Sequence, residues 1–165
     1  MNAFDCELTA LLPRLRRFAG ALARSSADAD DLVQGAVERA LRARDQWQPG
    51  TRFDAWLFRI VRNQWIDTVR ARGRQDGKLS PEEDGLAVGV YPLAELEARS
   101  ELAALVRALN QLPDEQREVL ALVTIEGLGY AEAAAVLDLP IGTVSSRMLR
   151  GRQALVALLG SDHDR

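Results

Sequence analysis

Apolar residues recur along this chain with the period of the α-helix. Leu8, Leu11, Leu12, Leu15, Phe18, Ala19 and Leu22 fall on one face of a first helix. Pro13 suits the first turn of a helix better than its interior, which puts the expected start at Pro13. Ser25-Ser26-Ala27-Asp28 follows as a stop with N-cap candidates. Leu32, Val33, Ala36, Val37, Ala40 and Leu41 then define a second helix, with Asp31, Gln34, Glu38, Arg39 and Arg42 on its polar face. Trp47-Gln48-Pro49-Gly50-Thr51 reads as a turn. The clearest period comes next, in Phe53, Trp56, Leu57, Ile60, Val61, Gln64, Trp65, Thr68 and Val69. Arg59, Arg62, Asn63, Ile66 and Arg70 lie opposite it. Three such helices predict a first packed unit over 1–74.

The period is lost over 75–92, where Gly77, Pro81, Gly85, Gly89 and Pro92 flank the acidic run Glu82-Glu83-Asp84. That composition predicts a flexible linker. A second helical unit is expected over 93–165. Leu102, Leu105, Val106 and Leu109 give one helix, ended before Pro113. Pro113-Asp114-Glu115 opens the next, with acids at the positive end of the helix dipole, and Gly127 suits its C-terminus. Tyr130 to Asp138 is short and alanine-rich, and Leu139-Pro140-Ile141-Gly142 is a tight turn. Thr143 is expected to cap a last helix whose inner face is Val144, Met148, Leu155, Leu158 and Leu159. The expected fold is all-α: two small helical domains and no sheet.

Composition narrows the class. No apolar run approaches the roughly 20 residues that cross a bilayer, and the N-terminus lacks a signal-peptide pattern, so a cytoplasmic protein without membrane insertion is expected. Cys6 and His163 stand at opposite ends with no metal-ligand spacing. No glycine-rich phosphate loop or nucleophile motif is present, so neither enzymatic activity nor a cofactor or metal is expected. The net charge of −3 looks wrong for a nucleic-acid binder until it is divided. Residues 1–74 hold 13 Arg against 9 Asp/Glu, and residues 75–165 hold 8 Lys/Arg against 15 Asp/Glu. Within these halves 59–74 carries five Arg and one Asp, and 141–153 carries three Arg and no acid. Local basic faces, not the total, attract phosphate.

Residues 133–150 have the form of a helix-turn-helix, whose second helix would lie in the major groove. Ser145, Ser146, Arg147 and Arg150 would face away from the inner stripe, within reach of bases or phosphates. An ordinary helical hairpin with a solvated basic face has the same pattern. Resemblance separates the two. Leu112-Pro113-Asp114-Glu115-Gln116-Arg117-Glu118-Val119-Leu120, the stretch Glu126-Gly127-Leu128-Gly129-Tyr130-Ala131-Glu132, and Leu139-Pro140-Ile141-Gly142-Thr143-Val144-Ser145-Ser146-Arg147 resemble region four of the extracytoplasmic-function (ECF) sigma factors. LuxR-type regulators carry related helices, so the first half is needed too. Ala29-Asp30-Asp31-Leu32-Val33-Gln34 is similar to the Asp-Leu-Val-Gln signature of region two. Pro49-Gly50, the stretch Phe53-Asp54-Ala55-Trp56-Leu57-Phe58-Arg59-Ile60-Val61-Arg62-Asn63, Ile66-Asp67 and Arg70 to Arg74 resemble the adjoining promoter-reading part.

The resemblance implies a sigma factor that binds core RNA polymerase, through the β′ clamp and the β flap, and directs promoter-specific initiation under an anti-sigma factor. By position, Asp31, Leu32 and Gln34 match the helix that docks on the clamp. The loop 46–52, with Trp47, matches the one that captures an unstacked base of the minus-ten element. Arg59, Arg62, Asn63 and Arg70 match the face beside the melted strand, and Thr143, Ser145, Ser146, Arg147 and Arg150 match the helix that reads the minus-thirty-five element. A basic face with an aromatic platform suits single-stranded DNA. Trp56 and Trp65, by contrast, lie on the apolar stripe and read as core. The sequence departs from the family at Gly35, where Glu is usual, at Ser145, where Lys is frequent, and at Leu149, where His is frequent. The main alternative is a sigma-mimicking protein that titrates an anti-sigma factor. The arginines at 59, 62, 147 and 150 argue against it, because a pure mimic has no need of DNA-facing charge.

Overall fold

The computed structural model describes residues 2–23, 25–76 and 100–163. Helix α1 (Ala3–Leu22) starts ten residues before the expected Pro13, because the Asn2 side chain accepts from the Asp5 N–H and caps it. Pro13 sits inside the helix at an exposed position, where burial of Leu8 and the half-buried Phe4, Leu11 and Leu12 outweighs the lost backbone hydrogen bond. Helix α2 (Ser26–Arg42) is capped by Ser25, whose side chain accepts from the Asp28 N–H. After a single 3-10 turn, Arg44–Gln46, and a turn in which Gly50 takes φ +90°, helix α3 (Phe53–Asp76) continues two residues beyond the expected boundary at Arg74. Linker residues 77–92 lie outside the described residues, as do 93–99 of the expected second unit.

The second unit comprises α4 (Ser100–Gln111), α5 (Asp114–Leu120), a π-helical turn (Ala121–Ile125), α6 (Tyr130–Leu137) and α7 (Ile141–His163). Gly127 takes the left-handed conformation that turns the chain after the π-turn, and Asp138 does so after α6. The last helix begins at Ile141, earlier than expected. Thr143 lies within its first turn and gives its N–H to the Pro140 carbonyl, so Thr143 is not the N-cap. Among the described residues there is no strand.

Leu15 and Phe18 of α1 meet Leu57, Phe58 and Val61 of α3 in one core, closed by Leu32, Ala36 and Ala40 of α2. Phe18 and Phe58 meet edge-on at 5.3 Å. Val119, Leu122, Leu137, Val144 and Met148 form the centre of the second unit, and the same apolar cluster runs through both. Helices α1 and α3 pack on α5, the π-turn and α6. Phe58 falls outside the stripe read from the sequence, yet it is buried, because α3 is covered on two sides: by α1 and α2, and by α6.

Candidate nucleic-acid interface

The basic residues of α3 divide. Arg59, Asn63 and Arg70 are exposed. Arg62 is not: its side chain is 16% exposed and donates to Glu118 of α5 across the two units, at 3.3 Å. Trp47 is half-buried. It packs edge-on against Phe53 at 4.9 Å and Phe4 at 6.3 Å, and Phe53 in turn stacks on Trp56. Its indole N–H is buried without an acceptor among the described residues. Trp47 is therefore part of an aromatic wall behind the loop, not a ring projecting into solvent.

On α2, Asp31 and Gln34 are exposed and three residues apart, on one side of the helix. Leu32 points the other way and is 4% exposed, so it belongs to the core and cannot be a docking contact in this packing. The helix is clasped to α3 by Arg72, which forks onto both oxygens of Asp28, and by Arg39 on Asp67 at 3.0 Å. Gly35 has a steric part in this seam. A Cβ there would stand 2.7 Å from the Gln64 amide nitrogen.

In the helix-turn-helix formed by α6 and α7, Ser145 and Arg150 are exposed, while Thr143 and Ser146 are half-buried. Arg147 does not stand clear of the inner stripe as expected. It is 21% exposed in its side chain and leans on Glu115 at 3.7 Å and Glu118 at 4.0 Å, which ties α7 to α5. Burial pushes the Glu118 carboxyl above the usual carboxylate range, and the guanidiniums of Arg62 and Arg147 offset this only in part.

A set of charges to which the sequence motifs assign no role joins the two units. Glu126, at the end of the π-turn, has a side chain only 1% exposed. Its carboxylate accepts from Arg14 at 2.9 Å and from Arg17 at 3.2 Å, and its carbonyl accepts from Arg14 at 2.8 Å. Arg14 also reaches Asp54 at 3.1 Å and lies over the Phe58 ring. Arg52, in the loop 46–52, bridges Asp54 of α3 and Glu132 of α6. Burial favours the neutral form of Asp54, but Arg52, the Ala55 N–H and Arg14 prevail and hold its carboxyl below the usual range. The Arg52 contact does the same to Glu132. Arg117 of α5 donates to the carbonyl of Ala21 at the C-terminal end of α1, where helix carbonyls lack partners of their own. The only trace of these pairs in the sequence is the opposite charge of the two halves; nothing in it says that Arg14 meets a residue at position 126.

Among the described residues no group of three or more potential ligands could hold a metal ion, and no helix is long and apolar enough to cross a membrane. Family models for sigma-70 region 2 and sigma-70 region 4 match residues 8–75 and 102–155. The ECF RNA polymerase sigma factor EcfG of Rhodopseudomonas palustris is 38% identical over 156 residues, which are 94% of this chain and 84% of that protein. The sigma factor RpoE of Bartonella quintana, solved in complex with the anti-sigma factor NepR, superposes with a TM-score of 0.82 at 36% identity, over 98% of this chain and 99% of that one. CnrH, solved in complex with the cytosolic domain of CnrY, gives 0.69 at 32% identity, over 97% and 89%.

Proposed function

The chain belongs to the extracytoplasmic-function sigma factors of the sigma-70 family, and from that premise we propose that it binds core RNA polymerase, opens a defined set of promoters and is restrained by an anti-sigma factor. The observation that carries this reading is that region 2 and region 4 occur in one chain, in order, each with its own basic helix. The protein contributes binding energy and specificity and no chemistry of its own. A cytoplasmic location follows from the partners proposed.

Asp31 and Gln34 form the exposed part of the clamp-docking surface, and Leu32 holds their helix in place from within. Arg59, Asn63 and Arg70 line the path of the melted strand, with Trp47 as the wall behind the base-capturing loop. Arg62 joins them only when it leaves Glu118. Opening a duplex costs less when a pocket holds the unstacked base. On α7, Arg150 and Ser145 are the arms open to the groove. Thr143 and Ser146 sit near the start of the helix, where N–H groups favour phosphate. Arg147 sets the helix against α5 and reaches DNA from that anchored position.

The anti-sigma part rests on the likeness to RpoE, which was solved with NepR bound. The likeness spans nearly all of both chains, which supports a like packing of the two units. The shape described here is thus close to that of a sequestered sigma factor. Run-off transcription with purified core polymerase on a library of promoter fragments tests the proposal. Transcripts from a subset of promoters, absent with core alone, are expected. Tight binding to an anti-sigma factor with no transcript from any fragment would instead establish a sigma mimic.

A further inference from the structure

The acidic second half of the chain meets the basic first half at places the proposed function assigns to DNA. Glu132 of α6 sits on Arg52, in the base-capturing loop. Glu118 of α5 sits on Arg62, on the strand-facing helix. Between them Glu126, almost fully buried, receives Arg14 and Arg17 from α1. A carboxylate on a guanidinium offers negative charge and acceptor oxygens, as a phosphate does. From this juxtaposition we infer that region 4 acts as an internal nucleic-acid mimic: its Glu118 and Glu132 occupy the arginines of region 2 that would otherwise take the DNA strand, and Glu126 is the latch that keeps them there.

The inference rests on the sigma-factor reading, which supplies the role of Arg52 and Arg62. Its physical content can be tested separately. While the units are closed, the strand-binding face lacks two of its cations, and apparent DNA affinity falls in proportion to the fraction of molecules open. The latch is built for reversal. Arg14 and Arg17 keep 28% and 34% side-chain exposure, so water can reach them as soon as Glu126 leaves.

The test uses the full chain and its single cysteine, Cys6, which is exposed on α1. A second label goes at Gln153→Cys, on the exposed side of α7. Energy transfer between the two labels reports closure. The double variant Glu126→Gln, Glu132→Gln removes both charges and keeps side-chain shape. Its amide oxygen at position 132 still accepts from the Gly129 N–H, as the Glu132 carboxylate does at 3.1 Å. The expected result is lower transfer and about fivefold or more tighter binding of a fluorescent single-stranded oligonucleotide. The single variant Glu132→Gln, at a side chain 40% exposed, should show a smaller change in the same direction. If the double variant fails to fold, the single variant Glu132→Gln decides. A folded variant, double or single, with unchanged transfer and DNA affinity would overturn the inference. Run-off transcription by the wild type, done in parallel, keeps the outcomes apart. If no promoter is used, the sigma-factor reading fails while the closure measurement still stands.

Discussion

Gly35 and Gly151 look alike in the sequence, each a glycine inside a helix, and differ in what surrounds them. A Cβ at Gly35 would meet the far end of the Gln64 side chain, which can swing aside. A Cβ at Gly151 would meet Leu120 at 3.0 and 3.3 Å and Gln116 at 3.5 Å, inside the crossing of α5 and α7. Alanine gains about 1 kcal/mol of helix propensity at either site. Gly35→Ala should therefore stabilise the protein by up to about 1 kcal/mol. Gly151→Ala should destabilise it by about 1 kcal/mol, since overpacking a close contact costs roughly 1–3 kcal/mol. Urea denaturation of the two variants measures both. Equal shifts in the same direction would mean that helix propensity alone governs these sites. The glycine at position 35, where the family usually has Glu, thus has a steric side that no linear pattern displays.

At the scale of the element, the helices are legible because each carries a periodic stripe, and their ends are legible where a capping residue stands beside it. Ser25 and Gly127 are of this kind. The beginnings of α1 and α7 are not. Asn2 caps a helix through a proline that sequence rules treat as a start, and Pro140 accepts at a turn where Thr143 has the better capping side chain. The seams between helices carry two predictions. Asp28, gripped by Arg72, has its carboxyl held below the ordinary value of 3.8. A lowered folded-state value means stability that is fully present above the unfolded value and is lost as pH falls through the folded one. Asp28→Asn should thus be less stable than wild type at neutral pH, and the gap should close below about pH 4 in acid titrations followed by circular dichroism. On α7, Arg147 and Arg150 both match the helix that reads the minus-thirty-five element. The packing separates the two, because Arg147 is pinned to α5 and Arg150 is open. Arg150→Ala should flatten the salt dependence of binding to upstream-element DNA and leave stability within about 0.5 kcal/mol of wild type. Arg147→Ala should weaken DNA binding and also lower the urea midpoint. A fully stable Arg147→Ala protein would show that its contacts with Glu115 and Glu118 contribute nothing to the fold.

The whole molecule is the least legible scale. Two units are evident from the loss of period after residue 74. Nothing in the composition of residues 75–92 says whether the two units meet or stay apart. How they meet depends on pairs such as Arg14 with Glu126 and Arg117 with Ala21, more than 90 positions apart, and helical periodicity is silent about them. The result can be tested through an accident of composition. All three tryptophans, Trp47, Trp56 and Trp65, lie in the first unit, whereas both units contribute to helical circular dichroism. At low salt the ion pairs and the shared apolar cluster couple the units, so tryptophan fluorescence and circular dichroism should report one coincident thermal transition. Salt shortens the screening length from about 10 Å at 0.1 M to about 3 Å at 1 M, which weakens the exposed pair of Arg52 with Glu132 more than the pairs of Arg14 and Arg17 with the buried Glu126. The apolar core inside each unit is little affected by screening. In high salt the two probes should then separate, and the fluorescence transition should mark the first unit alone. Coincident transitions at both ionic strengths would mean that the apolar contacts around Phe58, not the charges, hold the units together.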